Sequence, residues 1–206
     1  MKPTTKTILS GLLLRYPKLE VCHSDIETSF KALRETYESG GKVLVCGNGG
    51  SAADAEHIVG ELMKSFRKHR PIPAAISSAL RPGLAAKLEG ALPAVSLVSM
   101  CGIVSAFSND VDWTTAFAQQ VLGLAKPGDA LVALSTSGNS ANCAAAAEVA
   151  KAMGVKTIAL TGASASRLSE ICDITIQVPE SETFKIQELH LPVYHALCAM
   201  IEEELF

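Results

Sequence analysis

The stretch that most constrains how this chain can fold is residues 42–63, KVLVCGNGGSAADAEHIVGELM. The apolar run Val43–Cys46 predicts a buried strand, because short runs rich in β-branched residues and bounded by glycine are typical of strands. Three glycines follow within four positions, and the alanine-rich segment after them has helical spacing of its apolar residues. A strand that turns through glycines into a helix leaves free N–H groups and the positive helix end directed at one point. The sequence therefore predicts an anion-binding site at this turn.

Titratable side chains follow on the same predicted helix. His57 and Glu61 are four residues apart and so share one helix face, either as an acid–base pair or as a solvated ion pair. Gln187 and His195 are eight residues apart on a predicted C-terminal helix and lie on broadly the same side of it. His190 is the competing histidine there, with packing as its plainer role. Glu61, Gln187 and two imidazoles could together hold a borderline divalent metal such as zinc.

The rest of the chain alternates strands and helices. Short apolar runs predict four more strands, at residues 94–98, 130–134, 155–160 and 174–178. Because helical segments separate them, the pattern predicts an α/β fold with a doubly wound, five-stranded parallel sheet flanked by helices on both faces. Ligands of such sheets bind at the carboxyl ends of the strands.

The first 40 residues stand outside this alternation. Two helices are predicted there, at 7–16 and 24–38, and the second carries an apolar stripe. We interpret residues 1–40 as a helical oligomerisation segment and residues 41–206 as the α/β core, together forming one domain. Within the core, residues 71–93 contain four prolines and are predicted to form a loop or short helices.

A second polar glycine loop follows the third predicted strand and opens a helix. Its hydroxyl groups exceed what one helix cap needs, and we predict that they bind phosphate; they belong to Ser135, Thr136, Ser137 and Ser140. The first loop formally matches a dinucleotide fingerprint, but the second strand ends without the acidic residue that holds a ribose, and no Walker lysine is present. We therefore expect a small phosphate ester and no nucleotide.

Composition excludes several other classes of function. The formal net charge is −3 and no basic run stands out, which argues against nucleic acid as a partner. The apolar stretches are interrupted well short of a membrane span, so no membrane association is expected. The six cysteines form no C-x-x-C pair and mostly lie in apolar contexts, which indicates reduced thiols in a cytoplasmic protein.

Several motifs, taken in order, resemble those of a known family. CGNGGSAADAEHIVGEL, SND, LSTSGNSAN, TGASASRLSEICDITIQVP and IQELHLPVYH are similar to segments of the phosphoheptose isomerases, which are single sugar-isomerase (SIS) domain proteins. The resemblance implies a flavodoxin-like strand order and a homotetramer with active sites built across subunits. It also implies an enzyme that converts sedoheptulose 7-phosphate into D-glycero-D-manno-heptose 7-phosphate through an enediol.

The resemblance further implies a role for individual residues. Glu61 would be the general base and His195 the general acid, which suits a reaction that moves a proton between adjacent carbons near neutral pH. The residues implied in substrate binding are Asn48, Gly49, Gly50, Ser51, Asn109, Asp110, Ser135, Thr136, Ser137, Ser140 and Gln187. The implied ligands of one zinc ion per subunit are His57, Glu61, Gln187 and His195.

Two departures from the family pattern keep alternatives open. The segment 71–93 is longer than the family's usual link and borders the sugar end, so an isomerase of another ketose phosphate remains an alternative. Pro192 falls inside the last predicted helix and is expected to kink it, which could shift His195 relative to Gln187. A non-catalytic SIS-domain protein, which binds a phosphosugar or regulates replication initiation, is the other alternative. The presence of both Glu61 and His195 favours the enzyme.

Overall fold

The computed structural model describes the backbone of residues 1–206 and every side chain except that of Pro82. Five strands form one sheet: β1 (Val43–Gly47), β2 (Ala94–Ser96), β3 (Ala130–Leu134), β4 (Lys156–Thr161) and β5 (Ile174–Gln177). All neighbours pair in parallel, in the order β2-β1-β3-β4-β5. The α/β class, the five-stranded parallel sheet and the flavodoxin-like order predicted from the sequence are confirmed.

Helices connect the strands and precede them. They are α1 (Pro3–Arg15), α2 (His23–Glu38), α3 (Gly50–Met63), α4 (Ala74–Ala79), α5 (Pro82–Ala85), α6 (Cys101–Phe107), α7 (Ala116–Leu124), α8 (Ala141–Ala152), α9 (Arg167–Ile171) and α10 (Thr183–Leu205). Short turns of tighter or wider helix cover Pro17–Cys22, Ser108–Asp112 and Trp113–Thr115. Among the described residues, no helix has both the length and the apolar character needed to cross a bilayer.

The sheet is covered on both faces, and β1 shows this most directly. Val43 and Val45 join the apolar cluster formed with α1, α2, α3 and α10, whereas Leu44 and Cys46 join the cluster formed with α7 and α8. Successive side chains of a strand point to opposite faces, so every residue of β1 is buried. This explains why the strand reads as a continuous apolar run.

The N-terminal helices belong to the first of these clusters. Leu19, Ile26 and Phe30 are fully buried there, and α1 and α2 both contact α10. These helices precede β1 and stand outside the strand–helix alternation, and their apolar stripe covers a face of the sheet of their own chain. An additional role of residues 1–40 in oligomerisation stays a prediction.

Two proline-containing segments adopt different structures. Residues 71–93 hold the short helices α4 and α5, as predicted, and return to α3 through the N–H of Leu92, which donates to Leu62 O at 3.0 Å. Pro192 lies inside α10, which continues to Leu205. Proline lacks a donor for one helical hydrogen bond, yet Pro192 is buried and the helix extends on either side of it. Pro192 therefore does not end the helix that carries His195.

Candidate active site

The first glycine loop is shaped by two close constraints. Gly49 has a φ of 56°, which side-chain-bearing residues rarely adopt, and it leads directly into α3. A Cβ at Gly50 would lie 2.5 Å from Nε2 of Gln187, so α10 approaches the N-terminus of α3 as closely as glycine allows. Ser51 is buried in the first turn of α3. The predicted anion site thus combines a helix N-terminus, a serine and the Gln187 amide.

The second glycine loop begins beside the first. Gly47 and Leu134 are paired at the ends of β1 and β3, so the chain leaves two neighbouring strand ends for α3 and α8. The hydroxyls of Ser135 and Ser140 lie 2.9 Å apart. Gly138, with a φ of 67°, closes the turn by donating its N–H to Ser135 O. This geometry suits an anion held by hydroxyls at a helix N-terminus.

The other two hydroxyl-bearing residues of this loop, Ser137 and Thr136, make local hydrogen bonds in the structure. The Ser137 hydroxyl accepts the backbone N–H of Asn139 at 3.1 Å. Thr136 uses its carbonyl to accept the N–H of Gly162, which joins the loop to the end of β4. Both residues therefore hold the loop in shape, and their predicted contact with phosphate stays a prediction.

An asparagine pair joins the two loops. The Asn48 amide donates to Asn142 Oδ1 at 2.8 Å, and the Asn142 amide donates to Asn48 Oδ1 at 2.9 Å. Asn142 is buried in the first turn of α8. Sequence reasoning missed Asn142 as a functional residue, although it lies inside the LSTSGNSAN motif, which was the available signal. The reciprocal pair fixes the spacing of the two loops.

Helices α3 and α10 bring three titratable side chains together. His57 Nε2 lies 3.3 Å from Glu61 Oε1 and 3.4 Å from His195 Nε2. The two imidazole rings meet edge to face at 4.8 Å between centroids. Burial, with a smaller contribution from His57, lowers the pKa of His195, so its imidazole is neutral near pH 7. The Glu61 carboxylate and the neutral His195 imidazole thereby both contact His57, and their roles as base and acid stay predictions.

Three further residues contact this group and were missed. Lys64 Nζ lies 2.6 Å from Glu61 Oε2. His57 Nδ1 lies 3.0 Å from the hydroxyl of Tyr194, and that hydroxyl donates to Asp54 Oδ1 at 3.1 Å. The spacing of Asp54 three residues before His57 was the only sequence signal for this arrangement.

His190 has a different environment from His195. It is fully buried, and its Nε2 lies 3.3 Å from Thr161 O at the end of β4. Burial lowers its pKa to about 4, so it is a neutral packing residue, in agreement with the plainer interpretation.

The buried ion pair of Arg70 and Glu202 connects the C-terminal end of α3 to α10. Glu202 accepts Arg70 Nε at 2.7 Å, and both side chains are inaccessible to solvent. Arg70 also donates to the carbonyls of Glu61 and Leu62. Burial by itself would raise the pKa of Glu202. The backbone N–H donors of Phe66 and Arg67, together with the Arg70 guanidinium, outweigh this effect, and the pKa of Glu202 is lowered. The pair thereby fixes the relative position of the helices that carry Glu61 and His195.

Asn109 and Asp110, which were predicted to bind the substrate, lie apart from the two glycine loops and from the acid–base group. Asn109 and Asp110 are exposed, and the Asn109 amide donates to Asp110 Oδ1 at 2.8 Å. The same turn contributes Ser108 to a cavity of about 310 Å³, which is also lined by Asn48 and Trp113. This cavity adjoins the first glycine loop, and the contact of Asn109 and Asp110 with the sugar stays a prediction.

The predicted zinc ligands are only partly assembled. Among the described side chains, no three of the His, Cys, Asp and Glu type form a group that could hold a metal as they stand. Two contacts have a suitable length, because ligands at ~2.0–2.1 Å from a tetrahedral ion are ~3.3–3.4 Å apart, and His57 makes contacts of 3.3 and 3.4 Å. Gln187 contacts Gly50, which precedes His57 by about two turns of α3. The donor types of the four residues fit zinc, and Gln187 contacts the start of α3 in this structure.

A match to a protein-family model establishes the class of domain to which this chain belongs. The family model of the SIS domain matches residues 18–162, which is more than half of the chain and includes both glycine loops. The fold and the paired hydroxyl loops are therefore those of an SIS-domain protein.

Individual relatives narrow the class. The chain is 36% identical to a phosphoheptose isomerase of Akkermansia muciniphila over 95% of this chain and 94% of that protein. It is 41% identical to a phosphoheptose isomerase of Trichlorobacter lovleyi over 84% of this chain and 79% of that one. The solved structure of a phosphoheptose isomerase from Francisella tularensis matches with a TM-score of 0.78 and 31% identity, covering 94% of this chain and 93% of that one. The chain belongs to the phosphoheptose isomerase family, and the family resemblance found in the sequence is confirmed.

Proposed function

We propose that this protein isomerises sedoheptulose 7-phosphate to D-glycero-D-manno-heptose 7-phosphate. The observation that carries the proposal is the convergence of Glu61, His57 and His195 from α3 and α10, at the end of a helix whose first turn forms the predicted phosphate site. Glu61 lies ten residues after Ser51, which is ~15 Å along α3. This separation suits a long ketose phosphate, in which the phosphate and the carbonyl lie at opposite ends.

The phosphate end of the substrate is anchored in this proposal by the two loops. Hydroxyls of Ser51, Ser135 and Ser140, with backbone N–H groups at the starts of α3 and α8, would surround it. Helix dipoles and hydrogen bonds to a charged acceptor both favour an anion there. Anchoring the phosphate orients the chain so that carbons 1 and 2 lie beside the acid–base group.

Proton transfer then requires only side chains of this chain. Glu61 removes a proton from carbon 1 while His195 donates a proton to the carbonyl oxygen on carbon 2, which yields an enediol. His195 next takes the proton of the hydroxyl on carbon 1, and Glu61 returns its proton to carbon 2. Carbon 1 becomes the aldehyde and both residues regain their starting state, so the scheme balances. Lys64 sits against Glu61 and compensates its negative charge.

A divalent ion is part of the proposal as a second component. His57, Glu61, Gln187 and His195 would hold zinc, which supplies polarisation of the substrate carbonyl when bound. Glu61 and His195 belong to both the acid–base set and the ligand set. Removal of metal with a chelator therefore distinguishes the two roles, because a purely acid–base pair keeps its activity.

We also propose that the protein is a homotetramer and acts in the cytoplasm. Apolar Leu14 and Val21 remain exposed by 83% and 73% on the N-terminal segment, where a further copy could cover them. Asn109 and Asp110 do not reach the acid–base group of their own chain, which suits a site completed by a neighbour. All six cysteines are free, as expected for a reducing compartment. Light scattering that gives a monomer mass at micromolar concentration would refute the tetramer.

The decisive experiment is an assay of the purified protein against ketose phosphates of five to seven carbons, with and without chelator. We expect turnover with the seven-carbon substrate. Turnover only with a shorter substrate would favour the alternative isomerase. Binding of the sugar phosphate without turnover or exchange of solvent deuterium would favour the non-catalytic phosphosugar-binding protein.

A further inference from the structure

We propose that Tyr194, held by Asp54, is a positioning residue that sets the ring orientation and the tautomer of His57. The inference deepens the proposed function, on which its importance for turnover rests, but the arrangement itself can be tested without activity. Tyr194 is buried on α10, and Asp54 and His57 are three residues apart on one face of α3. The three side chains therefore connect the two helices of the acid–base group.

The contacts around the tyrosine hydroxyl are specific. Its oxygen lies 3.1 Å from Asp54 Oδ1 and 3.0 Å from His57 Nδ1. The rings of Tyr194 and His57 meet edge to face, with centroids 5.6 Å apart. A tyrosine hydroxyl has an ordinary pKa of about 10, so it keeps its proton at neutral pH.

A single proton on this hydroxyl determines the direction of both hydrogen bonds. The carboxylate of Asp54 is the stronger acceptor, so the hydroxyl donates to it. The hydroxyl oxygen can then only accept from His57, which requires a proton on Nδ1. A neutral His57 with its proton on Nδ1 has an unprotonated Nε2. The opposite tautomer would require a protonated Asp54, so the two cases are experimentally distinct.

The consequence lies on the other side of the imidazole ring. The Nε2 lone pair of His57 is directed at the space shared with Glu61 Oε1 and His195 Nε2, at 3.3 and 3.4 Å. In this tautomer His57 accepts a hydrogen bond from His195 or donates its lone pair to a cation, and it cannot donate a hydrogen bond to Glu61. The carboxylate of Glu61 is thereby left free to act on the substrate. Residues that orient a histidine in this way typically change affinity or activity about 10–100-fold when removed.

The test compares two variants with a matched control. Tyr194→Phe keeps the buried ring and removes the hydroxyl, whereas Asp54→Ala leaves the hydroxyl with His57 Nδ1 as its remaining acceptor. The control is Tyr37→Phe, because the Tyr37 hydroxyl is also buried but has no hydrogen-bond partner among the described residues. Tautomers are read from the ¹⁵N resonances of the His57 ring in metal-free protein at neutral pH.

We expect distinct outcomes for each protein. The wild type and Tyr37→Phe should show the proton of His57 on Nδ1, Tyr194→Phe should show a mixture, and Asp54→Ala should move the proton to Nε2. In the assay, Tyr194→Phe should lower kcat about tenfold with little change in KM, at the low end of such effects. A wild-type proton on Nε2, or an unchanged tautomer in both variants, would overturn the proposal. If the tautomers are as expected but the protein is inactive on every ketose phosphate, the inference stands and the proposed function is rejected.

Discussion

Loss of Arg70 should destabilise the protein strongly, because it breaks the buried pair that joins α3 to α10. Arg70→Met keeps the length of the side chain but removes the guanidinium from Glu202. Breaking a buried pair costs about 3–5 kcal/mol. Glu202 retains backbone donors from residues 66–68, and Leu62 O still accepts the N–H of Leu92. We therefore expect the free energy of unfolding to fall by about 3 kcal/mol, at the low end of that range.

The reciprocal variant should be worse. Glu202→Gln leaves the Arg70 charge buried without a counterion, and one end of its amide would place a donor against the N–H groups of Arg67 and Lys68. We expect the free energy of unfolding to fall by about 5 kcal/mol, near the upper end of the range for a broken buried pair. The double variant Arg70→Met/Glu202→Gln should cost less than the sum of the two, because no unpaired charge remains.

Urea unfolding monitored by circular dichroism measures these differences. The matched control is Arg167→Met, which breaks an exposed contact with Glu148 of 2.6 Å and should cost less than about 1 kcal/mol. If Arg70→Met costs no more than this control, the argument from burial is wrong. If Arg70→Met loses the expected stability but keeps the wild-type kcat, the pair has no role in placing Glu61 and His195.

The pH dependence of the same variant has a definite sign. The folded-state pKa of Glu202 lies below its ordinary value of 4.5, so its ionisation stabilises the folded protein above that pH. This contribution is lost as the pH falls from 4.5 through the lowered pKa. The difference in unfolding free energy between wild type and Arg70→Met should therefore shrink on acidification below pH 4.5, and a growing difference would contradict the assignment.

Three other predictions concern the candidate site directly. Glu61→Gln should lower turnover about 10²–10⁴-fold, because a carboxamide cannot accept the proton, and it should abolish deuterium incorporation next to the carbonyl while leaving phosphate affinity nearly intact; retained exchange would reduce Glu61 to a ligand or structural residue. Ser140→Ala removes one hydroxyl of the pair with Ser135 and should raise KM about tenfold with kcat little changed, since a hydrogen bond to a charged group is lost; an unchanged KM would remove the phosphate from this loop. Trp113 is the single tryptophan, is 58% exposed and lines the cavity beside Asn48, so ketose phosphate but not inorganic phosphate should change its fluorescence; calorimetrically detected binding without a fluorescence change would place the sugar elsewhere.

Local sequence patterns were enough for much of the fold. The strand–glycine–helix unit at residues 42–63 could be read directly, since glycine spacing and apolar periodicity are properties of neighbouring residues. Burial of every residue in β1 follows from its continuous apolar run, and the alternation of strands with helices determined a parallel sheet. The surface that the N-terminal helices cover could not be predicted, because an amphipathic stripe shows that a helix is buried but not against which partner.

The choice between His190 and His195 shows what only the tertiary structure could decide. They are five positions apart in the sequence, so they lie ~140° apart around α10, and either could have faced α3 on sequence grounds. Packing places His190 against Thr161 in the interior and His195 against His57. The hydrogen bonds of Tyr194 with Asp54 and of Asn48 with Asn142 likewise join residues distant in the chain. The sequence by itself therefore determined the secondary structure, the fold class and the residue types of the site. Its assembly depended on how α3, α8 and α10 pack on one sheet, because local periodicity carries no information about the distances between separate helices.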